Sequence, residues 1–258
     1  VHANLFGNEK KIRDVLNKYP YLSDKVSIFH TDNFVPMDAK PTDAVRRIGK
    51  DSSMWMSIES CKNRKSDVVL SAGNTGALMA LSKLILKTVD GIERPAITAL
   101  WPNTEGDSVV LDLGANIDVS SNQLVQFGIM GYSYAVCVLK KSHPKIAILN
   151  IGHEEFKGSN ELQEAFERLS VIFKDKFIGF VEGDDLSKGT ADVIITDGFT
   201  GNVALKTAEG IAKLIGFYLS DSLKSNISGK LGMFIAQNSL KSFKKKIDPR
   251  GNNGGFFL

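Results

Sequence analysis

Cysteine is scarce in this sequence: Cys61 and Cys137 are the only two in 258 residues, and neither has a second cysteine or a histidine at metal-ligand spacing. That excludes a disulfide framework and a cysteine-based metal site, and it predicts a reducing, cytoplasmic setting. Long apolar runs are missing as well. None approaches the roughly 18 residues that span a bilayer, and no basic-then-apolar leader opens the chain. Charge of one sign is not in excess: a net charge of +3 gives no case for nucleic-acid binding. The patterns G-x-x-x-x-G-K-[ST] and G-x-G-x-x-G are absent, which excludes a nucleotide P-loop and a dinucleotide fingerprint. So are H-E-x-x-H and G-x-S-x-G, the marks of common zinc proteases and α/β-hydrolases. No Pro-, Gly- or Ser-rich linker, fixed-period repeat or low-complexity tract divides the chain.

What is present is alternation. With 43% hydrophobic residues the chain can bury a sizeable core. Short β-branched runs at 26–30, 67–72, 96–101, 108–114, 134–139, 145–151, 177–183 and 192–198 read as strands. Their near-continuous apolar character implies burial on both faces. Helical patterns over 8–18, 52–64, 75–88, 121–131, 160–174, 202–224 and 229–246 alternate with them. The order predicts a single α/β/α domain over 1–258: three layers around a largely parallel sheet, with 203–246 as a projecting amphipathic helix pair. The opening "VHANLFGNEKK" already reads as a strand and its following helix, and the close on "GNNGGFFL" is abrupt, so elements are expected beyond both ends.

Small, polar and acidic residues gather at the carboxyl ends of these strands, where open α/β sheets bind ligands. In "VVLSAGNTGALMA" the glycines Gly73 and Gly76 permit close approach of backbone. Ser71, Asn74 and Thr75 supply polar groups, and a helix start points free N–H groups and its positive dipole end into the turn. Such a turn suits a phosphate or carboxylate. The plainer alternative is a tight connection with Asn74 or Thr75 as helix cap. Similar turns end at Asn116, Asn160, Asp185 and Asn202.

The segments "SAGNTGALMA", "RPAI", "LDLGANID", "QFGIMG", "LNIGHEEFKG", "FVEGDDLSKG" and "DVIITDGFTGNVALKTAEG", taken together and in order, resemble the bacterial phosphate acyltransferase family. The resemblance implies transfer of an acyl group from acyl-[acyl carrier protein] to inorganic phosphate, giving acyl phosphate for phospholipid synthesis. It also implies a homodimer and a fold similar to phosphotransacetylase and the isocitrate and isopropylmalate dehydrogenases. No metal or organic cofactor is implied. The product would pass to a membrane glycerol-3-phosphate acyltransferase. The family's Met-Gly-Gly-Asp segment and His-Gly-containing strand have no counterpart here, and His153 stands where the family more often has an acidic or other polar residue. His153 is therefore not read as a catalytic base.

The residue types agree with that chemistry. Phosphate can attack a thioester directly, so the protein must supply position and charge, and effective molarities of roughly 10⁵ to 10⁸ M are within reach. Donors to the tetrahedral oxyanion contribute on the order of 3 kcal/mol each. Asn74, Thr75, Asn116 and Asn202 are the candidate donors, with Gly198 and Gly201 beside the last of them. Lys157 and Lys206 are candidate point cations, and Asp197 can orient phosphate or protonate the departing thiolate. Asp197 as a turn acceptor and Lys206 as a solvated side chain are the plainer readings. Asp112 shares the ambiguity of Asp197. Cys137 and Cys61 read as packing, as does the Met54, Trp55, Met56 group.

Residues 206–250 carry nine basic and three acidic side chains, +6 in all, leaving about −3 for the rest of the chain. With apolar stripes that include Leu231 and Phe234, and with Lys241, Lys244 and Lys245, this tail suits an acidic carrier protein or an anionic membrane surface. Peripheral association with the inner face of the cell membrane is expected. Two other functions fit less well: a short-chain acyl-CoA phosphotransacetylase, and a non-catalytic acyl-carrier or lipid-binding module, which would have no use for an anion site.

Overall fold

The computed structural model describes residues 1–247 and 255–257. The chain forms two compact units, Val1–Pro95 and Ala96–Phe257. Each is taken by itself.

In the first unit β1 (Ala3–Gly7) and β2 (Val26–His30) pair in parallel, from Ala3 opposite Val26 to Gly7 opposite His30. The crossover is α1 (Glu9–Leu16), started by Asn8, whose side chain accepts from Lys11 N–H. A one-turn α2 (Pro41–Asp43) runs into a π turn over 44–48, and α3 (Ser53–Lys62) and α4 (Thr75–Leu86) follow. Val35, Ala44, Met54, Ile58, Ala77, Leu81 and Ile85 form the core of this unit. The run 67–72 is not a strand. Among the described residues it has no ladder partner, and Val68 and Leu70 are exposed, so β-propensity alone did not decide its conformation.

The second unit holds a six-stranded sheet in the order β6-β5-β7-β4-β3-β8. Its strands are β3 (Ala96–Asn103), β4 (Gly106–Leu111), β5 (Ile146–Leu149), β6 (Phe177–Val181), β7 (Val193–Ile195) and β8 (Gly255–Phe257). β4, β7, β5 and β6 are mutually parallel, while β3 runs antiparallel to both β4 and β8. Helices α5 (Ser121–Cys137) and α6 (Asn160–Phe173) cover one face; α7 (Asp185–Lys188) and the first turns of α8 (Gly198–Lys224) cover the other. Side-chain alternation sorts the strands accordingly. Val110, Ile194, Ala147, Leu149 and Val181 pack with Leu186, Ala204 and Leu205. Leu111, Val193 and Ile195 instead meet α5, where a Cβ on Gly131 would lie 2.5 Å from Val193 and one on Gly128 3.0 Å from Ile195. The small residues of "QFGIMG" let that helix lie directly on the sheet.

Two expectations are corrected here. The alternating run 134–139 is not a strand: α5 continues through Cys137, because a capping box of Ser120 and Gln123 starts it and Phe127, Met130, Gly131 and Ala135 keep its buried face at helical spacing. Cys137 is accordingly exposed rather than core filling. The expected two-helix tail is three helices: α8, then α9 (Ile227–Ile235) capped by Asn226, then α10 (Gln237–Ile247) after a break at Ala236. Their stripes, including Ile211, Tyr218, Leu231 and Phe234, are exposed in the chain, and Lys241 and Lys244 are exposed on α10. The side chain of Lys245 lies outside the described residues.

Candidate active site

The last ladder pairs, Leu111 with Ile195, Ile148 with Ile195 and Leu149 with Val181, bring four strand ends of the second unit to one edge. From that edge leave the turn 112–116, the loop 150–158, the turn 182–185 and the start of α8. Candidates Asn116, Lys157, Asp197, Gly198, Gly201 and Asn202 therefore lie on segments that leave one end of one sheet, and Lys206 lies about two turns into α8.

Asp112 braces the first turn. Its carboxylate is fully buried and accepts from Ile97 N–H (2.8 Å), Ala115 N–H (3.1 Å), Asn116 N–H (2.7 Å) and the Asn116 side-chain amide (2.9 Å). Burial pushes this carboxyl above its ordinary value, against the pull of those donors. Asn116 is thereby committed: its amide serves Asp112, and its carbonyl accepts from Gly198 N–H at 2.7 Å. It positions α8. The approach is close enough that a Cβ on Gly198 would lie 2.6 Å from the Asn116 carbonyl oxygen, and one on Gly201 2.0 Å from that of Asp112.

Asp197 caps α8. One carboxylate oxygen accepts from Thr200 N–H (2.8 Å) and the other from the Thr200 hydroxyl (2.6 Å). The positive end of this helix is thus occupied by the chain's own anion. Asn202 differs from the other asparagines. It is exposed, its side chain lies over Gly114, whose φ of +125° favours glycine, and among the described residues its amide has no hydrogen-bond partner. Lys206 lies one turn further on the same face and pairs with Glu209 at 3.2 Å. Lys206 is exposed while the Glu209 side chain is half-buried. Lys157 pairs with Glu154 at 2.8 Å, and this contact is the main reason that the Glu154 carboxyl is held below its usual range.

The Gly73–Gly76 turn belongs to the first unit. Asn74 is the cap of α4: its side-chain oxygen accepts from Ala77 N–H (2.9 Å) and its NH₂ donates to the carbonyls of Met37 (2.9 Å) and Ala39 (2.8 Å). Both ends of the amide are committed, which favours the capping reading for this side chain. The Ser71 hydroxyl accepts from Gly73 N–H, and a Cβ on Gly76 would lie 3.0 Å from Pro41. Thr75 is exposed, and the N–H groups of Thr75 and Gly76 have no hydrogen-bond partner among the described residues. What this turn offers an anion is backbone.

The caps Ser120 and Ser159 escaped the sequence reading, whereas Asp112 takes the turn-acceptor role of its plainer reading and extends it to Ile97 N–H. Also unread was a contact across the same edge, in which His153 lies 2.9 Å from Glu182 and 3.1 Å from Asp185. Among the described residues no group of three or more His, Cys, Asp or Glu is placed to hold a metal ion.

A family model described as fatty acid synthesis protein matches residues 1–258. A phosphate acyltransferase of Parvibaculum lavamentivorans is 46% identical over 255 residues, 98% of this chain and 71% of that protein. One of Rhodospirillum rubrum is 49% identical over 255 residues, 98% of this chain and 73% of that protein. Among solved structures, a phosphotransacetylase from Streptococcus pyogenes superposes with a TM-score of 0.59 at 18% identity, covering 81% of this chain and 73% of that one. The EutD phosphotransacetylase from Staphylococcus aureus gives 0.54 at 17% identity, covering 82% and 83%. At such identities these two speak for the fold alone.

Proposed function

This chain belongs to the phosphate acyltransferase family, and from that premise we propose how its residues divide the work of acyl transfer. The enzyme is an acyltransferase of fatty acid and phospholipid synthesis that joins an acyl group to phosphate. The donor we assign is acyl-[acyl carrier protein]. A phosphate oxygen attacks the thioester carbonyl to form the C–O bond and a tetrahedral oxyanion, which collapses as the C–S bond breaks, and the carrier thiolate leaves and takes up a proton. The observation that carries the assignment of roles is the uncommitted amide of Asn202 at the shared strand edge. Asn202 donates to phosphate or to the oxyanion, Lys206 and Lys157 neutralise phosphate charge, and Asp197 and Asn116 hold the start of α8 in place. The open N–H groups at Thr75 and Gly76 offer anion contacts in the first unit.

The test is incubation of the protein with labelled inorganic phosphate and either acyl-carrier protein or acyl-coenzyme A. Acyl phosphate forming faster from the carrier protein is the expected result. Faster turnover of coenzyme A thioesters would move the donor assignment to the phosphotransacetylase type, and binding without phosphate-dependent turnover would remove catalysis altogether.

No described helix is long and apolar enough to cross a membrane. Peripheral attachment through α9 and α10 is our reading, supported by exposed Leu231 and Phe234 on α9 and exposed Lys241 and Lys244 on α10. Homodimerisation and delivery of product to a glycerol-3-phosphate acyltransferase complete it. Each basic residue near an anionic surface contributes about 1 kcal/mol, so attachment is weak and salt-sensitive. Leu231→Glu with Phe234→Glu is expected to abolish binding to anionic vesicles at low salt while sparing soluble-substrate turnover. Dissociation of a dimer by the same pair, seen in sedimentation, would assign the stripe to a subunit interface instead.

A further inference from the structure

We propose that His153 is a positioning residue for acyl transfer: its imidazolium ties the loop 150–158 to the turn after β6 and so holds Lys157 in place. The inference rests on the reading of Lys157 as a cation for phosphate.

The geometry calls for a doubly protonated ring. Nδ1 lies 2.9 Å from Glu182 Oε1 and Nε2 3.1 Å from Asp185 Oδ2, so both ring nitrogens face carboxylate oxygens. A neutral imidazole has one donor and one acceptor and would turn a lone pair on one of the two. Asp185 is the fixed end of the tie. It is buried, its Oδ2 also accepts from Glu182 N–H at 2.9 Å, and its Oδ1 accepts from Lys188 Nζ at 3.1 Å and the Thr190 hydroxyl at 3.4 Å. Burial pushes this carboxyl up, but Glu182 N–H, Lys188 and His153 together outweigh it and hold it below the ordinary value.

The other end of the tie is the loop. Asn150 fastens its base by accepting from Ile151 N–H at 2.8 Å and donating to the Lys157 carbonyl at 3.1 Å. Lys157 N–H donates to Glu154 O at 3.0 Å, and its ammonium pairs with the Glu154 carboxylate at 2.8 Å. The Lys157 side chain lies across Gly152, where a Cβ would come within 2.5 Å of its Cδ and 2.7 Å of its Nζ. Gly152 is the residue next to His153. A shift of the imidazole therefore moves the surface on which Lys157 rests.

The charged groups around the ring are Glu182 at the end of β6, Asp185 on α7 with Asp184 and Lys188 behind it, and Glu154 and Lys157 on the loop itself. The hydrogen bond to Glu182 is the first cause raising the His153 pKa above its ordinary value, with the two carboxylate charges adding to it. The sign follows. The tie is complete below about pH 6.5 and is lost as pH rises through the higher value of the folded protein. At 59% exposure it is also weakened by salt.

The experiment measures the KM for inorganic phosphate against pH in the parent, His153→Asn and His153→Lys, with the ring titration of His153 followed by NMR. At pH 6 the parent should have a KM roughly threefold to tenfold below that of His153→Asn, a gap that closes as pH rises past the His153 midpoint read by NMR. Phosphate's own ionisation is common to both proteins and cancels. His153→Lys keeps the charge and should retain the low KM without the pH limb. Glu182→Gln should lower the midpoint of the His153 titration. Equal KM values for parent and His153→Asn at pH 6, or a midpoint unmoved by Glu182→Gln, would overturn the proposal. A parent with no phosphate-dependent turnover would defeat the functional reading instead. The tie then stands only if amide exchange of residues 151–158 rises in His153→Asn at pH 6 but not above the measured His153 midpoint.

Discussion

Asn202→Ala is expected to lower kcat/KM for acyl transfer roughly 100-fold or more, with no loss of melting temperature, because a well-placed donor to phosphate or oxyanion is worth that much. Only an asparagine with a free amide can give such a bond. Asn74 spends its amide on Ala77, Met37 and Ala39, and Asn116 spends its NH₂ on Asp112. The Asn202 amide is exposed and has no partner among the described residues. The parallel variant Asn74→Ala should show the opposite profile. Loss of a helix cap costs about 1 kcal/mol, and loss of the bonds to the loop carbonyls adds to it, so its melting temperature falls. Kinetics and thermal melting of both variants separate the two roles. Near-parental kcat/KM in a normally melting Asn202→Ala protein would remove Asn202 from the chemistry.

That contrast also marks how far residue patterns reach. The layered α/β architecture was legible because strand runs buried on both faces and amphipathic helices alternate at short intervals. The sheet end that carries the candidate residues was legible because Asn116, Lys157, Asp185 and Asn202 all come shortly after strands; the Gly73–Gly76 turn misled, since no strand precedes it. Pattern failed where two periods compete. The stretch 134–139 alternates like a strand, yet it continues a helix whose register was set earlier at Ser120, and 67–72 has strand-forming residues without a ladder partner. It also could not rank the polar residues. Asn74, Asn116 and Asn202 look alike in sequence, and what separates them is where their amides are used, which is decided by carbonyls and carboxylates that can lie up to 38 residues away. The tie between His153, Glu182 and Asp185 was hidden for the same reason, since 29 residues separate its first two members.

Gly201→Ala should lose both stability and turnover, whereas Gly210→Ala on the same helix should gain stability and keep its activity. A Cβ at Gly201 would sit 2.0 Å from the carbonyl oxygen of Asp112 and 2.8 Å from Thr196 Cγ2. The first obstacle is backbone, held in turn by the buried Asp112 carboxylate and its N–H donors, so it cannot swing aside as a side-chain tip would. The helix start must move instead. Overpacking of this kind costs about 1–3 kcal/mol, and more where backbone must shift. For a chain of this size each kcal/mol lowers the melting temperature by about 2–4 °C. The displaced turn carries Asn202, and a misplacement of about 1 Å is enough to cost on the order of 100-fold in rate. Gly210 meets nothing within 4 Å, and there alanine gains roughly 0.8–1 kcal/mol of helix propensity without touching the site. Melting curves and kcat/KM for the two variants decide the matter. Equal behaviour of the two alanines would mean that the close approach of α8 to the 112–116 turn does not govern the site.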